Sequence, residues 1–158
     1  MSIRLRRLNN DLNRVQGKEL HDMWGIPKSD DYKLTIRVKN ENERRIKLTI
    51  KYTKKHIYNI KNIPLEISNI ICNFLSETIC INIAIEYHPD YPFVKPVWEL
   101  SNVEHNIHNP PIDITNYYSY IINTHNAILN QYWHVANTIE KDILDFIQKI
   151  NHFEYILN

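Results

Sequence analysis

The sequence predicts an α+β fold: an N-terminal helix, a four-stranded antiparallel meander, and C-terminal helices packed on one side of the sheet. Three observations carry this. Apolar residues recur at helical spacing near both ends of the chain. Between them lie runs of strict alternation, the mark of half-buried strands. The stretch Ile83 to Leu100, IAIEYHPDYPFVKPVWEL, then interrupts an alternating run with three prolines, which break the ladder and force a rigid corner.

Each element follows from its residues. Leu5, Leu8, Leu12 and Val15 are spaced 3, 4 and 3, so Ile3 to Gln16 reads as an amphipathic helix. Ser2 is its expected cap, Gly17 its stop, and Lys18 to Asp31 a polar connection. Arg4, Arg7, Asp11 and Arg14 are expected off the apolar stripe. Tyr32, Leu34, Ile36 and Val38 alternate, as do Ile46, Leu48, Ile50 and Tyr52, with the polar KNENERR as the turn between them. Ile79, Ile81, Ile83, Ile85 and Tyr87 give the cleanest strand, and Val97 to Leu100 a short fourth one. Between the second and third strands, Pro64 opens a helix whose Ile67, Ile70, Ile71, Phe74 and Leu75 fall on one face. Tyr117 to Asn130 and Thr138 to Ile150 are helical; in the latter Ile139, Ile143, Phe146 and Ile150 form the stripe, with Asp142 and Asp145 expected outside.

The bulk composition narrows the function classes. A chain of 158 residues with 43% apolar content fits one domain, residues 1–158, with an inserted helical segment at about 54–78. A net charge of +1 is not the footprint of a basic nucleic-acid-binding domain, and no nucleic acid is expected; the longest local basic run is KYTKK, Lys51 to Lys55. Two cysteines, Cys72 and Cys80, make no disulfide framework and suggest a reducing compartment. There is no apolar run of spanning length and no signal-peptide pattern, so no membrane partner and an intracellular location, cytoplasmic or nuclear, are expected. With only Gly17 and Gly25, no glycine-built phosphate cradle exists. No cofactor is expected. His105 and His108 lack the further ligands of a zinc site, so no metal is expected.

The order of elements, with Tyr91, Pro92 and Pro96 after the third strand, resembles the ubiquitin-conjugating-enzyme family, including its catalytically inactive variants and the RWD domains. DDYKLTIRV, Asp30 to Val38, is similar to the family's first strand. WHVANTIEKDIL, Trp133 to Leu144, resembles the segment in which a tryptophan precedes the helix after the active site. The resemblance covers most of the chain, apart from Lys54 to Thr78, and implies the UBC-like arrangement of the fold predicted above.

The same resemblance implies a thioester-forming cysteine eight residues before the tryptophan, because a thiolate both attacks and leaves well. That position holds His125, and no cysteine follows Cys80. The family's His-Pro-Asn element has only a degraded counterpart, His105-Asn106, with His108-Asn109-Pro110 close by. Ser119 and Asp113 lie near His125 in sequence, yet no motif ties them into a triad. No catalytic residue is therefore expected. The resemblance also implies partner contacts at Phe93, in the proline turn, and at Arg4 and Arg7 of the first helix. The expected function is a non-catalytic adaptor that binds ubiquitin, an active conjugating enzyme or a ubiquitin ligase. The retained Trp133 segment favours the inactive variants over RWD domains. Two alternatives stand beside it: a divergent active conjugating enzyme using Cys72 or Cys80, and an unrelated α+β scaffolding protein.

Overall fold

A computed structural model describes residues 3–16, 32–54 and 63–150. Eight elements follow in order: α1 (Ile3–Val15), β1 (Tyr32–Asn42), β2 (Arg45–Lys54), α2 (Leu65–Phe74), β3 (Glu77–Glu86), β4 (Val97–His105), α3 (Ile114–Tyr132) and α4 (Ile139–Ile150). The expected Ser2 cap, Gly17 stop and Lys18 to Asp31 connection lie outside the described residues. The four strands form one antiparallel sheet in the order β1-β2-β3-β4, the meander that the alternating runs predict.

One face of the sheet is a wall of aliphatic side chains. Ile36, Val38, Ile46, Leu48, Ile50, Ile79, Ile81, Ile83 and Ile85 are all buried, and β-branched residues suit this pleated surface. Against them pack Leu8, Leu12 and Val15 of α1, Ile114, Tyr118, Ile122 and Leu129 of α3, and Ile139, Ile143, Phe146, Ile147 and Ile150 of α4. Each buried aliphatic contributes about 1.5–3 kcal/mol, so this interface dominates the stability.

Two strands are longer than their alternation indicates, for one physical reason. In β4, Asn82 pairs with Asn102 while Ile83 pairs with Leu100, leaving Ser101 as an extra residue. This bulge shifts the inward phase, so Leu100 and Val103 both face the core and a period-2 reading stops at Leu100. At the β1–β2 hairpin a register shift between Asn40 and Asn42 has the same effect, and most of KNENERR is strand. Only Glu43 and Arg44 turn, with the Arg44 amide donating to Asn42 Oδ1 at 2.9 Å.

Two sequence expectations are corrected. Asp11 and Asp142 are buried, not external. The helix expected after Pro64 is present as α2; its Ile67 and Ile70 are exposed, as is Leu75 just after it, while Ser68 is buried. Among the residues of 63–76 whose side chains are described, none belongs to the core cluster.

Candidate functional site

The proline corner begins where β3 ends. Tyr87 and Tyr91 meet edge to face at 5.2 Å, and both are buried. The Tyr91–Pro92 peptide is cis. The Tyr91 hydroxyl donates to Asp11 Oδ2 of α1 at 2.9 Å. Burial pushes this hydroxyl well above the usual tyrosine range, and the Asp11 carboxylate adds to the shift, so the tyrosine stays a donor. Trp133, just past α3, lies 6.1 Å from the Tyr91 ring and donates from Nε1 to the Pro92 carbonyl at 2.8 Å. Tyr91, Pro92 and Trp133, singled out from sequence, thus form one structural joint between the corner, α1 and the α3–α4 connection. Pro96, also buried, closes the corner at the start of β4.

Outside this joint lies an exposed patch. Phe93 is 63% exposed at the tip of the corner. The Arg4 guanidinium sits over its ring at 5.3 Å and also pairs with Asp90. Stacking of this kind holds a cation and an aromatic face together at modest cost. Arg7 points instead into the joint, donating to the Asn137 carbonyl at 3.3 Å, with its Nε 4.0 Å from Asp11. Val94 and Val135 add exposed apolar surface on the two segments that the Trp133–Pro92 bond ties together. Of the three expected partner contacts, Arg4 and Phe93 form one surface, while Arg7 braces it from behind.

His125 has a different setting from the one its sequence position implies. It sits in the fourth turn of α3, 1% exposed, facing the core. Its Nε2 is 2.9 Å from Asp142 Oδ1, and the other Asp142 oxygen accepts from Trp98 Nε1 at 3.0 Å. Lys149 Nζ lies 3.1 Å from Nδ1. An ammonium group can only donate, so Nδ1 accepts and Nε2 carries the hydrogen that Asp142 receives. Trp98 and Phe146 enclose the imidazole at 4.5 and 5.2 Å. The group is a satisfied core network linking β4, α3 and α4, and His125 presents no atom to a substrate.

The His105-Asn106 pair lies at the opposite end of β4. Seven residues separate Trp98, beside His125, from His105, which at the strand rise is about 20 Å. Asn106 clasps the start of β3: its Nδ2 donates to the Ser76 carbonyl at 2.9 Å and its Oδ1 accepts from the Thr78 amide at 2.6 Å. Asn109 takes a left-handed φ of 49°, which asparagine tolerates. Asp113 caps α3, accepting from the Asn116 amide at 3.0 Å. The structure therefore does not bring His105, Asn106 and His125 into one site. Cys80 is on the open face of the sheet, paired in register with Lys51, and the side chain of Cys72 lies outside the described residues.

Comparison of the chain with protein-family models, with curated proteins and with solved structures gives no match. The site thus rests on its own geometry. Among the described residues no three histidine, cysteine or acidic side chains gather as a metal site, and no helix is long and apolar enough to cross a membrane.

Sequence reasoning missed Asp142 and Asp11. The signal was present: Asp142 is three residues after Ile139 and one before Ile143, which puts it inside the α4 stripe. Asp11 stands in the same relation to Leu8 and Leu12.

Proposed function

We propose that this chain is a non-catalytic binding module of ubiquitin-conjugating-enzyme type that acts as an adaptor in ubiquitin pathways. The observation that carries the reading is the Arg4–Phe93 surface. Two segments 86 residues apart, α1 and the proline corner, meet to present a stacked cation and an exposed aromatic. Aromatic and arginine side chains dominate interface energetics, and here both are held in place before any partner arrives. The resemblance assigns partner contacts to these same positions, and the antiparallel meander with its corner between β3 and β4 supports it. The burial of His125 supports a binding role over thioester transfer.

The test is capture of purified ubiquitin, active conjugating enzymes and ubiquitin ligases on the immobilised chain. One of these is expected to be retained, and Phe93→Ala or Arg4→Ala should each weaken retention about thirtyfold, equivalent to about 2 kcal/mol. Both side chains are exposed, so the variants should keep their unfolding midpoints. Full retention by both variants would remove the patch as the docking surface. Incubation with activating enzyme, ATP and ubiquitin should give no thiol-sensitive adduct; such an adduct would sink the non-catalytic reading.

A further inference from the structure

The near-neutral charge of the chain conceals a segregation on the open face of the sheet. Here Lys33 is opposite Thr53, Thr35 opposite Lys51, and Arg37 opposite Thr49, so each cross-strand pair joins one cation to one hydroxyl. These six side chains line a depression of about 260 Å³. Lys39 and Lys47, directly opposite each other, extend the row. Like charges across a ladder are unfavourable, and no structural need for this pair is visible. Among the described residues, the carboxylates of this face stand on the other strands or at the hairpin end: Glu86 on β3, Glu99 and Glu104 on β4, and Glu41 paired with Arg45 at 3.1 Å. From Lys33 to Lys39 the cationic strip runs about 20 Å, in two rows about 5 Å apart.

We propose that this strip binds the phosphodiester backbone of duplex nucleic acid, without reading its sequence. Cations and threonine hydroxyls are among the side chains that contact phosphates. The Thr49 hydroxyl donates to Asn82 Oδ1 at 2.9 Å, so the phosphate contacts fall to the cations with Thr35 and Thr53. The outward side chains of β1 and β2 include no aromatic on which an unpaired base would stack. They include no large aliphatic either, so the strip lacks the apolar anchor around which a protein interface is built. A regularly charged polymer needs neither, since its binding is driven by release of counterions. A strip of this length faces about six base pairs. The proposal is independent of the Arg4–Phe93 surface, which belongs to α1 and the proline corner.

Fluorescence anisotropy with a labelled random-sequence duplex of about 20 base pairs tests it. Affinity should fall with salt along a log–log slope of about −4, as five cations imply. The triple variant Lys33→Gln, Lys39→Gln, Lys51→Gln should bind more than tenfold more weakly and flatten the slope by about 3. Arg6→Gln, Arg14→Gln, Lys141→Gln removes the same charge from the helices and should stay within twofold of the unmodified chain. No binding at low salt, or equal weakening by the two triple variants, would overturn the proposal. So would tighter binding of a single strand of the same length. Poly-glutamate that displaces the duplex as well as unlabelled duplex does would also overturn it, in favour of an acidic protein.

Discussion

At the scale of single residues, Asp142 and Asp145 are one turn apart on α4, yet their settings are opposite. Asp145 pairs with Lys141 at 3.3 Å in solvent, where such a contact contributes about 0.5 kcal/mol or less. Asp142 is buried and accepts from both Trp98 and His125. Asp142→Ala strands two buried donors and should cost about 3 kcal/mol or more, against at most about 0.5 for Asp145→Ala. Urea denaturation of the two variants measures the contrast; equal midpoints would refute the network. His125→Cys places a thiol where the resemblance calls for one, but inside the core. Intact-mass analysis after incubation with activating enzyme, ATP and ubiquitin should find no adduct on this variant. Position in the sequence was legible here, since His125 does stand eight residues before Trp133. Its surroundings were not, because they depend on Trp98, Asp142 and Lys149, drawn from two other elements.

At the scale of elements, the sequence is clearest where one periodicity runs unbroken. β3, with five alternating apolar residues, and α4, with its stripe, fall within two residues of their expected bounds. β4 was cut short because a single extra residue, Ser101, reverses the alternation. The α2 helix marks where periodicity stops informing. Its helical spacing is real, but spacing does not tell which side meets the core. In β2 and β3, Lys54 pairs directly with Glu77, so the ladder runs unbroken up to the insertion. Replacing residues 56–75 by a two-residue Asn-Gly turn, which leaves Lys55 opposite Ser76 in the same register, should therefore keep the fold and change stability by no more than about 1 kcal/mol. Cooperative unfolding with a native-like near-ultraviolet spectrum checks this. Loss of the transition would show that α2 is part of the folding unit.

At the scale of the whole molecule, three tyrosines tie stability to alkaline pH. Tyr87, Tyr91 and Tyr118 are all held above the usual tyrosine value, chiefly by burial. Between the unfolded value near 10 and the raised folded values, the folded chain keeps protons that the unfolded chain releases. Their contribution is complete below pH 10 and is lost as pH rises above it, by about 1.4 kcal/mol per pH unit for each tyrosine. Unfolding free energies should be level from pH 8 to 9 with respect to these groups and fall steeply by pH 11. A flat profile to pH 11 would mean that the hydroxyls reach solvent. The α+β class, the meander order and the four helices among the described residues were legible from periodicity alone. The convergence of α1, the proline corner and Trp133 was not, since it rests on hydrogen bonds between residues up to 130 apart in sequence.

The His125 network also makes the interior visible from outside. Its ring hydrogen on Nε2 is shared with Asp142 behind Trp98 and Phe146, and cannot exchange with water while α3 and α4 stay together. An imidazole hydrogen in solvent is lost too quickly to observe, whereas this one should give a persistent, downfield proton resonance. The nitrogen spectrum should show a single tautomer, with hydrogen on Nε2 and none on Nδ1. The rate at which that resonance decays in deuterated water would then time the parting of the two C-terminal helices. One proton in the core would serve as a clock for the opening of the fold.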